Sequence, residues 1–114
     1  MGPVMDELAE KKCVPCEAGA VPLKGVSLSK LAEGLDPQWR VVEERYLERI
    51  FKFKNFKRAL EFTVMAGDLA EREGHHPDIH LSWGKVEIRL FTHKIGGISE
   101  NDFIIAAKID RLPV

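Results

Sequence analysis

The chain has 114 residues, 17 basic and 18 acidic, and a formal net charge of -1. That length fits one domain, and 45% apolar with 31% charged residues excludes a disordered chain. No apolar run is long enough for a transmembrane helix, so no membrane association is expected, and the near-neutral charge argues against a primary nucleic-acid binder. Asp6, Glu7 and Glu10 stand where a signal peptide would need an apolar core, so a cytoplasmic location is expected.

Residues 1–26 read as an irregular N-terminal arm after a short acidic helix, punctuated by Pro15, Gly19, Pro22 and Gly25. Residues 27–114 read as one folded domain. Ser27 can cap a short helix reaching Leu35, with Leu28, Leu31 and Leu35 on one stripe, and Asp36-Pro37 breaks it. Trp39 to Glu44 and Tyr46 to Phe53 read as strands, the second alternating Leu47, Arg49, Phe51 and Phe53 against Glu48, Ile50 and Lys52. Asn55 is a good N-cap for the longest helix, Phe56 to Glu73, whose apolar stripe is read as Ala59, Leu60, Val64, Met65 and Leu69. Gly74 suits the left-handed position that ends it. Ile79 to Trp83 and Val86 to Thr92 are strands joined by Gly84-Lys85, which reads as a type II′ hairpin. Gly96-Gly97 reads as a hinge before the last helix. Ser99 and Asp102 make a variant capping box for that helix, which reaches about Arg111. The order α-β-β-α-β-β-α predicts an α+β fold: a four-stranded antiparallel sheet with helices packed on one face.

Cys13 and Cys16 form a CxxC pair. No second pair follows to complete a zinc ribbon, and the Gly/Pro-interrupted surroundings do not suit a redox motif. A non-catalytic arm is the favoured reading.

All four histidines lie between residues 75 and 93. His76 and His80 have the spacing of two metal ligands on a helix, but Pro77 between them costs about 3 kcal/mol inside a helix. No metal site is expected there. With the Gly84-Lys85 turn, Trp83 faces Val86, Leu81 faces Ile88 and Ile79 faces Leu90. Two further steps set His76 opposite His93, on the face away from the helices. His75 follows the C-terminus of the long helix, where the macrodipole favours a cation. Glu71, one turn earlier, could orient it. Imidazoles in different protonation states in one cleft suit acid–base chemistry near neutral pH. No nucleophile elbow, Walker loop or dinucleotide fingerprint is present.

Glu71-Arg-Glu-Gly-His75-His76-Pro77, then five residues to Trp83, nine to His93 and eight to Asp102, resembles the signature of the pterin-4a-carbinolamine dehydratases. Phe51-Lys-Phe-Lys-Asn55-Phe56 and Gly97-Ile98-Ser99 extend the resemblance, which spans about Leu31 to Asp110. It implies dehydration of 4a-hydroxytetrahydropterin to quinonoid dihydropterin, recycling the pterin of an aromatic amino acid hydroxylase. It implies no metal and no organic cofactor, and a homodimer or homotetramer. Carried over by position, His75, His76 and His93 are the expected catalytic imidazoles, with Glu71 assisting His75. Gly74, Pro77, Phe91, Thr92, Lys94 and Trp39 are the expected further substrate contacts. Asp102 belongs to the signature, yet the helix cap already explains it. Lys94 departs from the family, in which many members carry an acidic residue there. Other members imply an alternative: a non-catalytic dimerisation cofactor of a transcription factor, or an assembly factor linked to the carbon-fixing enzyme.

Overall fold

The structure is a computed structural model describing residues 8–13 and 21–113. Its elements are α1 (Gly25–Glu33), β1 (Arg40–Val42), β2 (Tyr46–Lys52), α2 (Phe56–Glu73), β3 (Asp78–Ser82), β4 (Lys85–Leu90), a 3₁₀ turn (His93–Ile95) and α3 (Glu100–Asp110). The strands form one antiparallel sheet in the order β1-β2-β4-β3. This is the expected α+β class.

Alternation within the strands sorts the two faces of the sheet. Leu47, Val86, Ile88 and Leu90 are fully buried against the helices. The opposite face carries Arg40, Glu48 and Arg89, where the Glu48 carboxylate accepts from Arg89 Nε at 2.9 Å and Arg40 Nη2 at 3.2 Å. α3 is buried almost all round, because the sheet, α1, α2 and residues 8–9 enclose it. Leu8 and Ala9 belong to this core, and the Lys108 ammonium donates to the Ala9 carbonyl at 2.7 Å.

The long helix keeps its expected bounds because both ends are locally coded. Asn55 Oδ1 accepts the Arg58 N–H at 2.9 Å, and Gly74 adopts φ 66°. Its buried stripe differs from the expected one. Ala59, Phe62, Ala66, Leu69 and Ala70 face the core, while Phe56, Leu60 and Val64 line an exposed flank. Apolar residues occur on both sides of this helix; in the buried stripe the alanines admit close approach, and Phe62 packs against the Phe51 and Phe53 rings at 4.6 and 5.2 Å between centroids.

α1 begins at Gly25, so Ser27 lies inside its first turn instead of capping it. The Glu44 carboxylate satisfies the Gly25 N–H at 3.1 Å, which supplies the start from outside the helix. Glu44 belongs to the β1–β2 turn, closed by the Arg45 N–H bonding the Val42 carbonyl at 2.9 Å. Glu43 and Glu44 both take left-handed backbone, at φ 51° and 56°. That is type I′ character built without Asn or Gly, at about 1–2 kcal/mol per residue.

The β3–β4 register is shifted by two residues from the expected one. Ser82 pairs with Lys85 and Ile79 with Ile88, so the loop is Trp83-Gly84. Neither loop residue has positive φ, which removes the type II′ assignment. The neighbouring strand fixes this loop. Phe53 donates its N–H to the Gly84 carbonyl at 2.8 Å, and its own carbonyl oxygen lies 2.8 Å from where a Gly84 Cβ would stand. A two-residue shift preserves which face each side chain takes. It does move Trp83 off the apolar face into the turn, 69% exposed. Extended by the same steps, it sets Phe91, not His93, opposite His76.

Candidate active site

Three chain segments converge at one end of the sheet. The first follows α2. A Schellman-type closure, with the His75 N–H bonding the Ala70 carbonyl at 3.2 Å, turns the chain sharply at Gly74. His75, His76 and Pro77 then run into β3.

The second segment carries His93. After β4, Thr92 and Gly97 form an isolated bridge, with the Thr92 N–H to the Gly97 carbonyl at 2.7 Å. The 3₁₀ turn of His93–Ile95 lies inside this pinch, closed by Gly96 at φ 66°. A Gly97 Cβ would stand 2.7 Å from Pro22 Cβ. The glycine pair therefore locks a loop against the chain entering α1; it is not the expected hinge.

The third segment is the start of α3. Asp102 is fully buried. Its Oδ2 accepts the Ser99 N–H and the Thr92 hydroxyl, both at 2.9 Å, and its Oδ1 bonds His75 Nε2 at 2.6 Å. The capping box is present. The same carboxylate thus ties all three segments together: His75 after α2, Thr92 after β4 and the α3 N-terminus. Capping alone does not account for the residue.

Between these segments lies a cavity of about 530 Å³. Of the expected site residues, Gly74, His75, His76, Pro77, Phe91, Thr92, His93 and Lys94 all line it. Phe91 and His93 stand with ring centroids 4.3 Å apart. Two expectations are corrected. Glu71 is outside the lining, and its carboxylate bonds His76 Nε2, not His75, because Asp102 has taken His75. Trp39 is also outside the lining: it is buried in the core, its Nε1 donating to both Asp110 oxygens at 3.0 and 2.9 Å. Its indole needs a polar partner once buried, and α3 supplies one.

The sequence reading missed Cys13, Glu73, Asp78 and Asn101 in the cavity wall. Cys13 comes from the arm. Its N–H bonds Glu73 Oε1 at 3.0 Å, and burial first, then the Glu73 carboxylate, push its thiol up to about 12. A neutral thiol is a wall group, not a nucleophile. Cys16, the other half of the CxxC pair, lies outside the described residues. Among the described residues, no three His, Cys, Asp or Glu side chains are grouped to hold a metal ion. His80 stands on the outer face of β3, opposite Glu87. Among the described residues, no helix is long and apolar enough to cross a membrane.

Comparison with known families places this geometry. The family described as pterin 4 alpha carbinolamine dehydratase matches residues 22–112. The chain belongs to the pterin-4a-carbinolamine dehydratase family. A protein of Alkaliphilus metalliredigens, provisionally named pterin-4-alpha-carbinolamine dehydratase, is 56% identical over 94% of this chain and 96% of its own length. A protein of Rubrobacter xylanophilus with the same provisional name is 56% identical over 95% of this chain and its own full length. Among solved structures, a transcriptional coactivator/pterin dehydratase from Brucella melitensis superposes with TM-score 0.72 at 32% identity, covering 77% of this chain and 94% of that one. A pterin dehydratase-like RuBisCO assembly factor of the alpha-carboxysome gives TM-score 0.55 at 25% identity, covering 64% of this chain and 86% of that one.

Proposed function

We propose that this dehydratase-family chain converts 4a-hydroxytetrahydropterin to quinonoid dihydropterin by imidazole acid–base catalysis, in tetrahydropterin recycling. One observation carries the reading. His75, His76 and His93 line a single cavity, and a fully buried carboxylate, Asp102, holds the His75 ring. The cavity volume suits a small flat bicycle.

The reaction needs two proton movements. An acid donates a proton to the 4a-hydroxyl as the C4a–O bond breaks and water departs. A base takes the N5 proton, and the N5–H electron pair becomes the C4a=N5 double bond. Imidazoles serve both steps near neutral pH, each typically giving ~10²–10⁴-fold. His75 and His93 are assigned the proton transfers. Asp102 fixes the tautomer and orientation of His75 and balances its charge when it is protonated. His76, paired with Glu71 at the exposed rim, is assigned to hold the pterin by hydrogen bonding. Phe91 lines the same cavity and is assigned to pack against the substrate ring. On the same reading the protein is a cytoplasmic homodimer or homotetramer, functionally linked to an aromatic amino acid hydroxylase.

A second role, as a protein-binding cofactor, is supported by the two structural neighbours, one a transcriptional coactivator/pterin dehydratase and the other a RuBisCO assembly factor, and by the exposed Phe56, Leu60 and Val64 flank of α2. None of Phe56, Leu60 and Val64 lines the cavity, so the roles are compatible. The deciding test is ultraviolet decay of freshly generated 4a-hydroxytetrahydropterin with wild type and with His75→Ala/His93→Ala. Wild type should accelerate decay and the double variant should not. A folded wild type without effect would refute the dehydratase reading.

A further inference from the structure

A second depression, of about 360 Å³, is lined by Arg45, Tyr46, Phe91, His93 and Gly96. Phe91 and His93 therefore form a wall common to both cavities. The register explains the neighbours. Leu47 pairs with Leu90, so one step further Tyr46 stands beside Phe91 on the outer sheet face, and Arg45 follows at the turn. We propose that this depression is the subsite for the pterin's C6 substituent and that it selects a substituent ending in an anion, a phosphate or a carboxylate. The proposal rests on the pterin reading of the main cavity and adds the substrate class.

Charge carries the argument. Among the described residues, neither Arg45 nor Lys94 forms an ion pair, and one lines each cavity beside the shared wall. The other nearby cation, Arg89, lies 5.0 Å from the Tyr46 ring centroid and is already paired with Glu48 at 2.9 Å and Glu87 at 3.8 Å. The acidic groups close by are Glu43 and Glu44 in the turn, Asp78 and Glu73 in the main cavity, Glu73 paired with Lys108 at 3.7 Å, and the buried Asp102 and Glu48, which are already committed to the partners described above. The Glu44 carboxylate accepts the Gly25 N–H at 3.1 Å and forms no ion pair with Arg45. The left-handed pair Glu43-Glu44 is an unfavourable way to build a hairpin, and it presents Arg45 to the depression. The wall combines aromatic faces with a guanidinium, which matches a substituent with a flat or short linker and an anionic terminus.

The test is equilibrium binding by calorimetry at low salt with four stable dihydropterins. One carries a methyl group at C6, one a neutral trihydroxypropyl chain, one that chain with a terminal phosphate, and one an aminobenzoyl-glutamate. The expected result is affinity about 10-fold or more tighter for the anionic ligands than for the neutral ones. Arg45→Gln should remove most of that increment, whereas Lys52→Gln, the same charge change at the far end of β2, should keep it. Comparing phosphate with carboxylate shows which terminus is preferred. Equal affinities for all four, or an increment untouched by Arg45→Gln, would overturn the subsite while leaving the pterin cavity standing. No binding of any of the four would overturn the pterin reading itself, and the subsite with it.

Discussion

Asp102→Asn separates the two duties that meet on one side chain. The carboxylate is fully buried and accepts three bonds, from the Ser99 N–H, the Thr92 hydroxyl and His75. Asparagine retains one acceptor oxygen. Pointed at Ser99 and Thr92, it preserves the helix cap. Its NH₂ group must then face His75 Nε2, which now has to accept, so the imidazole proton moves to Nδ1. The ring keeps its place but takes the wrong tautomer and loses its counter-charge. Loss of charge assistance at one buried bond costs about 1–3 kcal/mol of stability. A misassigned imidazole removes its share of proton transfer, roughly 10²–10⁴-fold in kcat. The assay pairs thermal unfolding by circular dichroism with ultraviolet decay of 4a-hydroxytetrahydropterin. Ser99→Ala is the contrast: about 1 kcal/mol less stable through the weakened cap, with kcat close to wild type. If Asp102→Asn keeps wild-type kcat while folded, Asp102 is a cap only and the positioning argument fails.

Trp39→Phe removes both bonds from the indole to Asp110 and should destabilise the fold by about 1–3 kcal/mol, measured by urea titration followed by circular dichroism; unchanged stability would show that the pairing is incidental. Burial and, more weakly, the neighbouring Asp36 carboxylate outweigh the Trp39 and Arg49 donors and push Asp110 up from 3.8 to about 6. The folded state then holds the extra proton between those values, so this contribution is complete below pH 3.8 and is lost as pH rises through about 6. The stability difference between wild type and Asp110→Asn should therefore fall over that window, and a flat difference would contradict it. Gly84→Ala places a methyl 2.8 Å from the Phe53 carbonyl and should cost about 1–3 kcal/mol by chemical denaturation, a neutral result showing that the loop yields. With its thiol near 12, Cys13 in a Cys16→Ser background should react with iodoacetamide at pH 8 on the order of 100-fold slower or more than an ordinary thiol; labelling at the ordinary rate would mean that Cys13 is not held in the wall.

Local signals in the chain were sufficient where one segment contains its own partner. α2 starts and stops where Asn55 and Gly74 place it, because a cap and a left-handed terminus involve residues within one turn. The strand alternation of Leu47, Arg49 and Phe51 put the right side of β2 inward, since period two is a property of the strand itself. His75, His76 and His93 were legible as a group from their crowding and from the family signature, and they do line one cavity.

Tertiary structure decided everything that depended on a distant partner. The β3–β4 register followed Phe53, thirty-odd residues upstream, and not the hairpin's own glycine. Which flank of α2 is buried followed the sheet it packs on. Trp39 went to Asp110 of α3 and not to the cavity, and Asp102, not Glu71, took His75. Cys13 reached the cavity because Glu73 bonds its backbone N–H and because Leu8 and Ala9, just before it, are buried in the core. A sequence specifies what each residue can offer within a turn or a strand. Which buried donor meets which buried acceptor is settled when the core closes, because each group removed from water must find its partner among those the fold brings near.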